Sequence, residues 1–493
     1  MTKPTTGQYM DTKSQGVYQP GEQISWLVQP SGGSGTYSYT ITDGFGNVLT
    51  SGHVAFGAHV TYTPTNVGYY QLNLTGTGTI PTLTAAVIPL PNVWGVDATP
   101  YGLGQDQYAS TWDNRYGFGH QRRTGYNVVT GLHDTLPFGT TQLAAFKSAY
   151  TAKINQVLTE GQTSYFDTTQ GLTVSDAGRI EFWNEPENEI SLPYTMMNGD
   201  LTQYAHEFVP AMAAGYAGIK ASNKPGTQFL FQNLFLNTAD AFFTAGGGAC
   251  CDGVVWHPYN WGTCGPASPE KCSWFRGTWQ EQGSTLLDYA AMRAHSGGKP
   301  VGVSEFGWAS TAEPGFSNQA YWVVREALLL QAQGFGWIMP YKIADVPFWP
   351  EWEGLNFGDG SANPIAPKKA MVSFATLTQT IANLPYAGRL SSGSNAWALL
   401  VFGNSTRSVL VFWAAVLAGS PTLSTTSLPS GVTETDLYGN TRVLSSGTYS
   451  RVAGYAPVYL TFNSSPALVA AAFGRSLITG PATGLFPAYT ADY

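Results

Sequence analysis

Two glutamates stand where short apolar runs end, and both are placed for acid–base or nucleophilic chemistry. Glu185 follows the run at 179–183 and precedes Pro186, which cannot continue the hydrogen bonding of a strand. Glu305 follows a second run at 299–303. A carboxylate at a strand end is held by a rigid element while it faces an open cavity. Two of them together predict glycoside hydrolysis by paired carboxylates; the alternative is that each only caps a strand or neutralises a nearby cation.

The residues around the two glutamates resemble clan A of the retaining glycoside hydrolases. The matching motifs are Trp-Asn-Glu-Pro at 183–186 and Ser-Glu-Phe-Gly-Trp at 304–308. In that clan the fourth strand of a (β/α)8 barrel ends in Asn-Glu and the seventh ends in a nucleophilic glutamate. The resemblance, which extends from about residue 92 to 385, implies Glu185 as general acid/base and Glu305 as nucleophile. It implies that Asn184 binds the sugar 2-hydroxyl, although an Asn at a strand end can instead bond its own backbone.

At the family level, the segment 338–345, with Gly-Leu at 354–355 and Asp-Gly at 359–360, most resembles family 39 and its endo-acting relatives. The clan places a tyrosine that hydrogen-bonds the nucleophile at the end of the sixth strand, where His257 and Tyr259 stand here. We expect Tyr259 to hold Glu305 ionised and oriented. His257 either supports this network or fills a buried polar position. His133, after an earlier apolar run, is a weaker candidate for substrate contact.

Four tryptophans lie beside predicted strand ends: Trp183, Trp256, Trp308 and Trp337. Aromatic rings stack on the C–H faces of sugars, but a tryptophan in a barrel more often belongs to the core. By resemblance to the clan, Trp337 or a tryptophan from the 349–352 loop forms the floor of the −1 subsite, and Trp308 is a further substrate-binding candidate.

The expected mechanism needs a proton donor at the leaving oxygen and a negative charge at the anomeric carbon, with the two carboxyl groups about 5–5.5 Å apart. We expect Glu185 to be protonated at the working pH, because the nearby charge of Glu305 raises the pKa of Glu185. When Glu305 is consumed in the glycosyl-enzyme this repulsion vanishes, and Glu185 can act as the base. The pair requires no metal and no other cofactor.

The elements that position these residues fall into four predicted parts. They are a loose N-terminus (1–15), an N-terminal immunoglobulin-like β-sandwich (16–91), a catalytic (β/α)8 TIM barrel (92–385) and a C-terminal β-sandwich with a tail (386–493). The sandwiches are predicted from alternating runs at 23–28, 37–41, 69–74, 397–402, 408–413 and 458–462. The overall class is α/β.

Strands and helices alternate most clearly after Glu185. Strands are predicted at 93–97, 126–133, 228–232, 253–259 and 335–341, with helices at 141–160, 201–222, 284–295, 318–333 and 367–382. The first half of the predicted barrel, before Glu185, is short for four strands with their helices. The arginine that ends the second strand in the clan has three candidates here, Arg115, Arg122 and Arg123.

Composition excludes several classes of protein. The chain has 493 residues, of which 43% are hydrophobic and only 11% are charged, and its net charge is −8. The hydrophobic content argues against disorder, and the negative charge argues against a nucleic-acid partner. No apolar run is long enough for a membrane helix. The expected partner is a β-linked glycan, and the oligomeric state stays open.

All four cysteines lie close together, at Cys250, Cys251, Cys264 and Cys272. Such clustering predicts two disulfides, in which Cys250 and Cys251 each pair with Cys264 or Cys272. A zinc site is the disfavoured alternative, because the adjacent pair lacks the usual ligand spacing. Disulfides indicate an oxidising compartment, so we expect a secreted or extracellular protein, although no apolar signal segment is present at residues 1–15.

These observations predict a secreted, retaining β-glycoside hydrolase that degrades a β-linked poly- or oligosaccharide. One alternative is a non-catalytic carbohydrate-binding or surface protein on a glycosidase scaffold. Another is a transglycosylase that uses the same residues and differs only in whether sugar or water accepts the glycosyl group.

Overall fold

The computed structural model describes most of the chain outside the first half of the central region. The described residues are 16–81, 83–88, 100–105, 120–123, 179–182, 202–221, 226, 228–233, 236–259, 269, 285–308, 310, 315–342, 344–345, 354–358, 364–392, 397–414 and 421–482.

The N-terminal part consists of seven strands in two small sheets. They are β1 (Val17–Tyr18), β2 (Ile24–Leu27), β3 (Thr36–Asp43), β4 (Val48–Ala55), β5 (His59–Tyr62), β6 (Gly68–Thr75) and β7 (Leu83–Val87). One sheet has the order β1-β7-β6-β3-β4, and β2 pairs with β5. Inward residues such as Trp26, Tyr37 and Leu83 are fully buried between the sheets. The alternation predicted here is confirmed, because strands form at all three predicted runs.

Six short parallel strands lie among the described residues of the central part. They are β8 (Gly102–Gln105), β9 (His120–Arg123), β10 (Arg179–Phe182), β11 (Gln228–Asn233), β12 (Gly253–Trp256) and β13 (Val301–Val303). The last four are neighbours in the order β10-β11-β12-β13, and β8 pairs with β9. Ile338 connects the two groups, because it makes parallel bridges to both Val303 and Tyr101.

Helices lie between the parallel strands, as parallel connections require. They are α1 (Thr202–Ala221), α2 (Leu236–Thr244), α3 (Thr285–Ala294) and α4 (Gly315–Ala332), with a short 3₁₀ turn at Gly247–Cys250. After these come a two-stranded pair, β14 (Asn356–Gly358) and β15 (Pro364–Pro367), and the helix α5 (Lys369–Ile381). The helices predicted at 201–222, 284–295, 318–333 and 367–382 are confirmed to within a few residues. Among the described residues no helix is both long and apolar enough to cross a membrane.

Successive residues of the parallel strands face opposite sides, as the two-residue period of a strand requires. On one side Phe231, Val254 and Val303 join the large core beneath the helices. On the other side a small apolar cluster forms, consisting of Leu230, Val255, Trp337 and Met339. This second side, called the sheet interior below, also carries the polar residues of the candidate site.

The C-terminal part is again built of antiparallel strands. They are β16 (Tyr386–Leu390), β17 (Trp397–Gly403), β18 (Ser408–Ala414), β19 (Thr422–Leu428), β20 (Thr433–Thr435), β21 (Thr441–Val443), β22 (Gly447–Val452), β23 (Val458–Phe462) and β24 (Leu477–Ile478), with the short helix α6 (Pro466–Ala472). Seven strands form one sheet, in the order β21-β20-β23-β18-β17-β16-β24, and β19 pairs with β22. The three strands predicted here are confirmed.

Several predictions for the central part differ from the structure or fall outside it. The strands predicted at 93–97 and 126–133 and the helix at 141–160 lie outside the described residues. The sixth strand ends at Trp256 rather than Tyr259, and the predicted eighth strand is reduced to bridges at Ile338. Strands β8 and β9 were not predicted, because Gly102–Gln105 and His120–Arg123 lack a run of apolar residues.

Candidate active site

Glu305 lies two residues beyond the end of β13 and is largely buried, with 6% of its surface exposed. The ladder between β12 and β13 continues past the strands, because the Ser304 N–H donates to the Trp256 carbonyl. This register places the residues that follow Trp256 beside those that follow Val303. The hydroxyl of Tyr259 accordingly donates to Oε2 of Glu305 over 2.6 Å. The structure thus brings together two of the residues that the sequence singled out.

His257 is fully buried beside this pair. Its Nδ1 lies 3.6 Å from Oε2 of Glu305, and its ring stands edge-on to that of Tyr259, with 6.4 Å between centroids. On the opposite side of the ring, Nε2 lies 2.9 Å from Oγ of Ser304. Of the two roles open to His257, the structure therefore favours membership of the network around Glu305.

Glu181 and Ser304 complete the network, and sequence reasoning assigned a role to neither. Oε1 of Glu181 accepts a hydrogen bond of 2.9 Å from the Ser304 hydroxyl and lies 3.5 Å from Nε2 of His257. One signal was available: Arg179 and Glu181 alternate with apolar residues in β10, so both charges lie on the same face of a strand otherwise predicted to be buried. What the sequence could not show is which partner meets Glu181 across the sheet interior.

Trp337 also lies in the sheet interior, but its neighbours there are not the residues that contact Glu305. It is 5% exposed, and the guanidinium carbon of Arg179 lies 4.8 Å from the centre of its ring. The indole also lies directly on Gly302, where any side chain would collide with it. The Val303 N–H bonds to the Trp337 carbonyl, and the Tyr341 N–H bonds to that of Phe306.

Trp308 packs away from the network. Its ring is 2% exposed and lies 5.8 Å from that of Trp322 on α4, and its carbonyl accepts a 2.7 Å hydrogen bond from Gln319 of the same helix. The described contacts of Trp308 are thus those of a core residue. A role for either tryptophan in sugar binding stays a prediction.

The remaining predicted residues, Asn184, Glu185 and His133, lie outside the described residues. Strand β10, which leads into Asn184 and Glu185, pairs with β11 in parallel, and β11 pairs in turn with β12. The carboxyl ends of parallel strands meet at one edge of a sheet, so the chain leaves β10 at the edge where Tyr259 and Glu305 lie.

The predicted disulfides are wrong for Cys250 and Cys251, which are buried free thiols. They precede β12, whereas Cys264 and Cys272, outside the described residues, come after it. Burial raises the pKa of Cys250 to about 11 and that of Cys251 to about 12.

No group of three or more His, Cys, Asp or Glu side chains is placed to hold a metal ion in the part of the chain that the structure describes. The polar groups around Glu305 are the imidazole of His257, the phenol of Tyr259, the hydroxyl of Ser304 and the carboxylate of Glu181.

The fold is similar to those of solved glycoside hydrolase structures. One is described as a family 39 glycoside hydrolase from the gut symbiont Bacteroides cellulosilyticus WH2: the TM-score is 0.59 at 18% identity, over 90% of this chain and 98% of that chain. Another is described as a GH30 endoxylanase from Clostridium papyrosolvens C71, with a TM-score of 0.47 at 12% identity, over 75% of this chain and 97% of that chain. No protein-family model and no curated protein matches the sequence. The resemblance to family 39 inferred from the motifs is thus confirmed at the level of the fold.

Proposed function

We propose that the chain is a retaining β-glycoside hydrolase that acts on a β-linked poly- or oligosaccharide by double displacement. The observation that carries the proposal is the hydrogen bond from Tyr259 to Glu305, made where two parallel strands end. Tyr259 and Glu305 lie in a fold that is similar to that of a family 39 glycoside hydrolase. Because likeness of fold does not determine function, the contacts of Glu305 carry the proposal.

In the first displacement an oxygen of Glu305 attacks the anomeric carbon, and the bond from that carbon to the leaving oxygen breaks. The leaving oxygen takes the proton of Glu185, and Glu305 becomes a glycosyl ester. In the second displacement water attacks the same carbon, its proton passes to Glu185, and the ester bond breaks to restore the Glu305 carboxylate. Two inversions give net retention.

The contacts of Glu305 suit a nucleophile. Tyr259 and His257 both approach Oε2, and together they hold the carboxylate in one orientation. A carboxylate oriented by neighbours that are themselves packed loses little freedom on reaching the attack geometry. Asn184 and Glu185 enter the proposal by their place in the sequence, at the end of β10.

A closed (β/α)8 barrel belongs to the same proposal, and the contact between Glu181 and Ser304 supports it. Two strands, β11 and β12, separate β10 from β13. In a flat sheet, strands three places apart are about 14 Å from each other, beyond the reach of these two side chains. Their 2.9 Å hydrogen bond therefore requires a strongly curled sheet. The parallel bridges of Ile338 to Val303 and Tyr101 continue the curl towards closure.

The test is release of reducing ends from a panel of β-linked polysaccharides and aryl β-glycosides, comparing the native protein with Glu305→Gln. We expect activity on at least one substrate, a loss of about 10³-fold or more in the variant, and a first-formed product with the β configuration by proton NMR. Glu434→Gln, a buried change in the C-terminal sheet, is the matched control and should keep its activity. An α-configured product, or an active Glu305→Gln, would overturn the proposal.

A further inference from the structure

A continuous chain of polar contacts crosses the sheet interior from β10 to Glu305. It runs from the Glu181 carboxylate to the Ser304 hydroxyl (2.9 Å), on to Nε2 of His257 (2.9 Å), and from Nδ1 of that ring to Oε2 of Glu305 (3.6 Å). All four side chains are largely shielded from solvent: those of Glu181, His257 and Glu305 are 14%, 0% and 8% exposed, and Ser304 is 2% exposed.

The number of hydrogen atoms that each group carries determines which group donates each of these hydrogen bonds. Ser304 has one hydroxyl hydrogen, and it is donated to Glu181, since an ionised carboxylate can only accept. Oγ of Ser304 must therefore accept from the ring, so Nε2 of His257 carries a proton. The Glu181 carboxylate, 3.5 Å from the same Nε2, favours a proton there as well. Glu181 thus keeps a proton on Nε2 and determines how the imidazole is turned. Nδ1, which faces Oε2 of Glu305, donates to that oxygen only when it is protonated as well.

We propose that Glu181 is a positioning residue for the nucleophile. Acting through Ser304 and His257, it fixes the imidazole against Oε2 of Glu305, while Tyr259 holds the same oxygen from its other side. The catalytic consequence rests on the function proposed above; the coupling between Glu181 and His257 does not.

Glu181 is a largely buried carboxylate, and taking a charge out of water is unfavourable. Its contacts with Ser304 and His257 offset part of that cost. Glu181 also lies on the strand that leads to Glu185, while its partner Ser304 directly precedes Glu305. The contact therefore ties together the two strands that carry the proposed acid/base and the nucleophile. A shift of β10 relative to β13 would disturb both at once.

The first test needs no activity. Protein labelled with ¹⁵N-histidine has seven histidines, and His257→Asn identifies the signals of His257. We expect a protonated Nε2 in the native protein, and displaced ring signals in Glu181→Gln and Ser304→Ala. His257 signals in Glu181→Gln that match those of the native protein would overturn the proposal.

The second test measures the rate at which Glu305 is trapped by 2,4-dinitrophenyl 2-deoxy-2-fluoro-β-xyloside and by the corresponding glucoside. We expect Glu181→Gln and Ser304→Ala each to slow trapping about 10- to 100-fold while changing the binding constant of the inhibitor less than about threefold, because both disturb orientation and not binding. Since the two residues act along one path, the double variant should be no slower than the slower single variant. Additive losses, or no loss in either variant, would contradict the proposal.

Matched controls are Ser373→Ala and Glu434→Gln. Ser373 is a buried serine whose hydroxyl lies within hydrogen-bond distance of the Ala320 and Ala370 carbonyls, and Glu434 is a buried carboxylate paired with Arg451. Both should destabilise the protein without slowing trapping below its unfolding temperature. If the native protein is neither labelled nor active, the proposed function fails, and the histidine signals alone decide whether Glu181 orients His257.

Discussion

The hydroxyl of Tyr259 lies 2.6 Å from Oε2 of Glu305, and the two residues follow neighbouring parallel strands. Because β12 and β13 are in register through Trp256 and Val303, the residues just beyond them meet at the same edge of the sheet. The geometry of this pair thus follows directly from the pairing of two strands.

Tyr259→Phe should lower kcat/KM about 10- to 100-fold, since a hydrogen bond to a charged group contributes about 1.5–3 kcal/mol. The measurement is steady-state kinetics on the best aryl glycoside. Tyr216→Phe is the control: its hydroxyl donates to Asp252 over 3.3 Å, and Tyr216 lies on helix α1. Equal losses in the two variants would show that the effect is not specific to the site.

Trp337→Phe should lower the melting temperature and leave KM within about twofold. The reason is that Trp337 fills the sheet interior against Gly302 and Arg179, and a smaller ring leaves a cavity there. Thermal melting and steady-state kinetics on one preparation separate the two effects. A tenfold rise in KM with an unchanged melting temperature would instead support the sugar-stacking role that the sequence predicts.

The two buried cysteines should resist alkylation in the folded protein. Burial raises the pKa of Cys250 to about 11 and that of Cys251 to about 12, so at pH 8 almost none of either thiol is the reactive thiolate. Iodoacetamide at pH 8, followed by peptide mass mapping, should modify both residues in guanidinium chloride and neither in native buffer.

A non-reducing digest is the complementary measurement. A peptide linking Cys250 or Cys251 to Cys264 or Cys272 would contradict the free thiols of the structure. Secretion stays a prediction, and the free thiols of these two cysteines remove the disulfide argument for it.

Lys368→Met should destabilise the protein by about 3–5 kcal/mol, because it removes the cation that is paired with the buried carboxylate of Asp345. The ammonium lies 2.7 Å from that carboxylate, and both side chains have 0% exposure. Replacing both residues, as Lys368→Met with Asp345→Leu, should recover much of the loss. Urea denaturation measures each change. Lys369→Met, next in the chain and only partly buried, should cost less than about 1 kcal/mol.

Long apolar patterns were the predictable part of the fold. Strands β17 and β18 are buried at every position, and α4 buries most of its length, so these elements are evident from local sequence. Tyr259 and Glu305 were predictable because each stands in a short motif at a strand end. In contrast, β8 and β9 form by pairing with each other, and neither shows a local hydrophobic signal.

The contacts made across the sheet interior were not predictable from the sequence. The partner of Glu181 is Ser304, more than a hundred residues away, and no local pattern indicates which residues meet there. The cysteine prediction failed for a related reason. Closeness in sequence does not determine whether thiols meet in space.

The central claim is that Glu305 is the nucleophile, and covalent trapping tests it most directly. The protein is incubated with a 2,4-dinitrophenyl 2-deoxy-2-fluoro-β-glycoside of the sugar that the substrate panel identifies, then digested and mapped by mass spectrometry. We expect the addition of one fluoroglycosyl group, located on Glu305 and absent from Glu305→Gln. A label on another residue, or turnover of the natural substrate by Glu305→Gln, would contradict it.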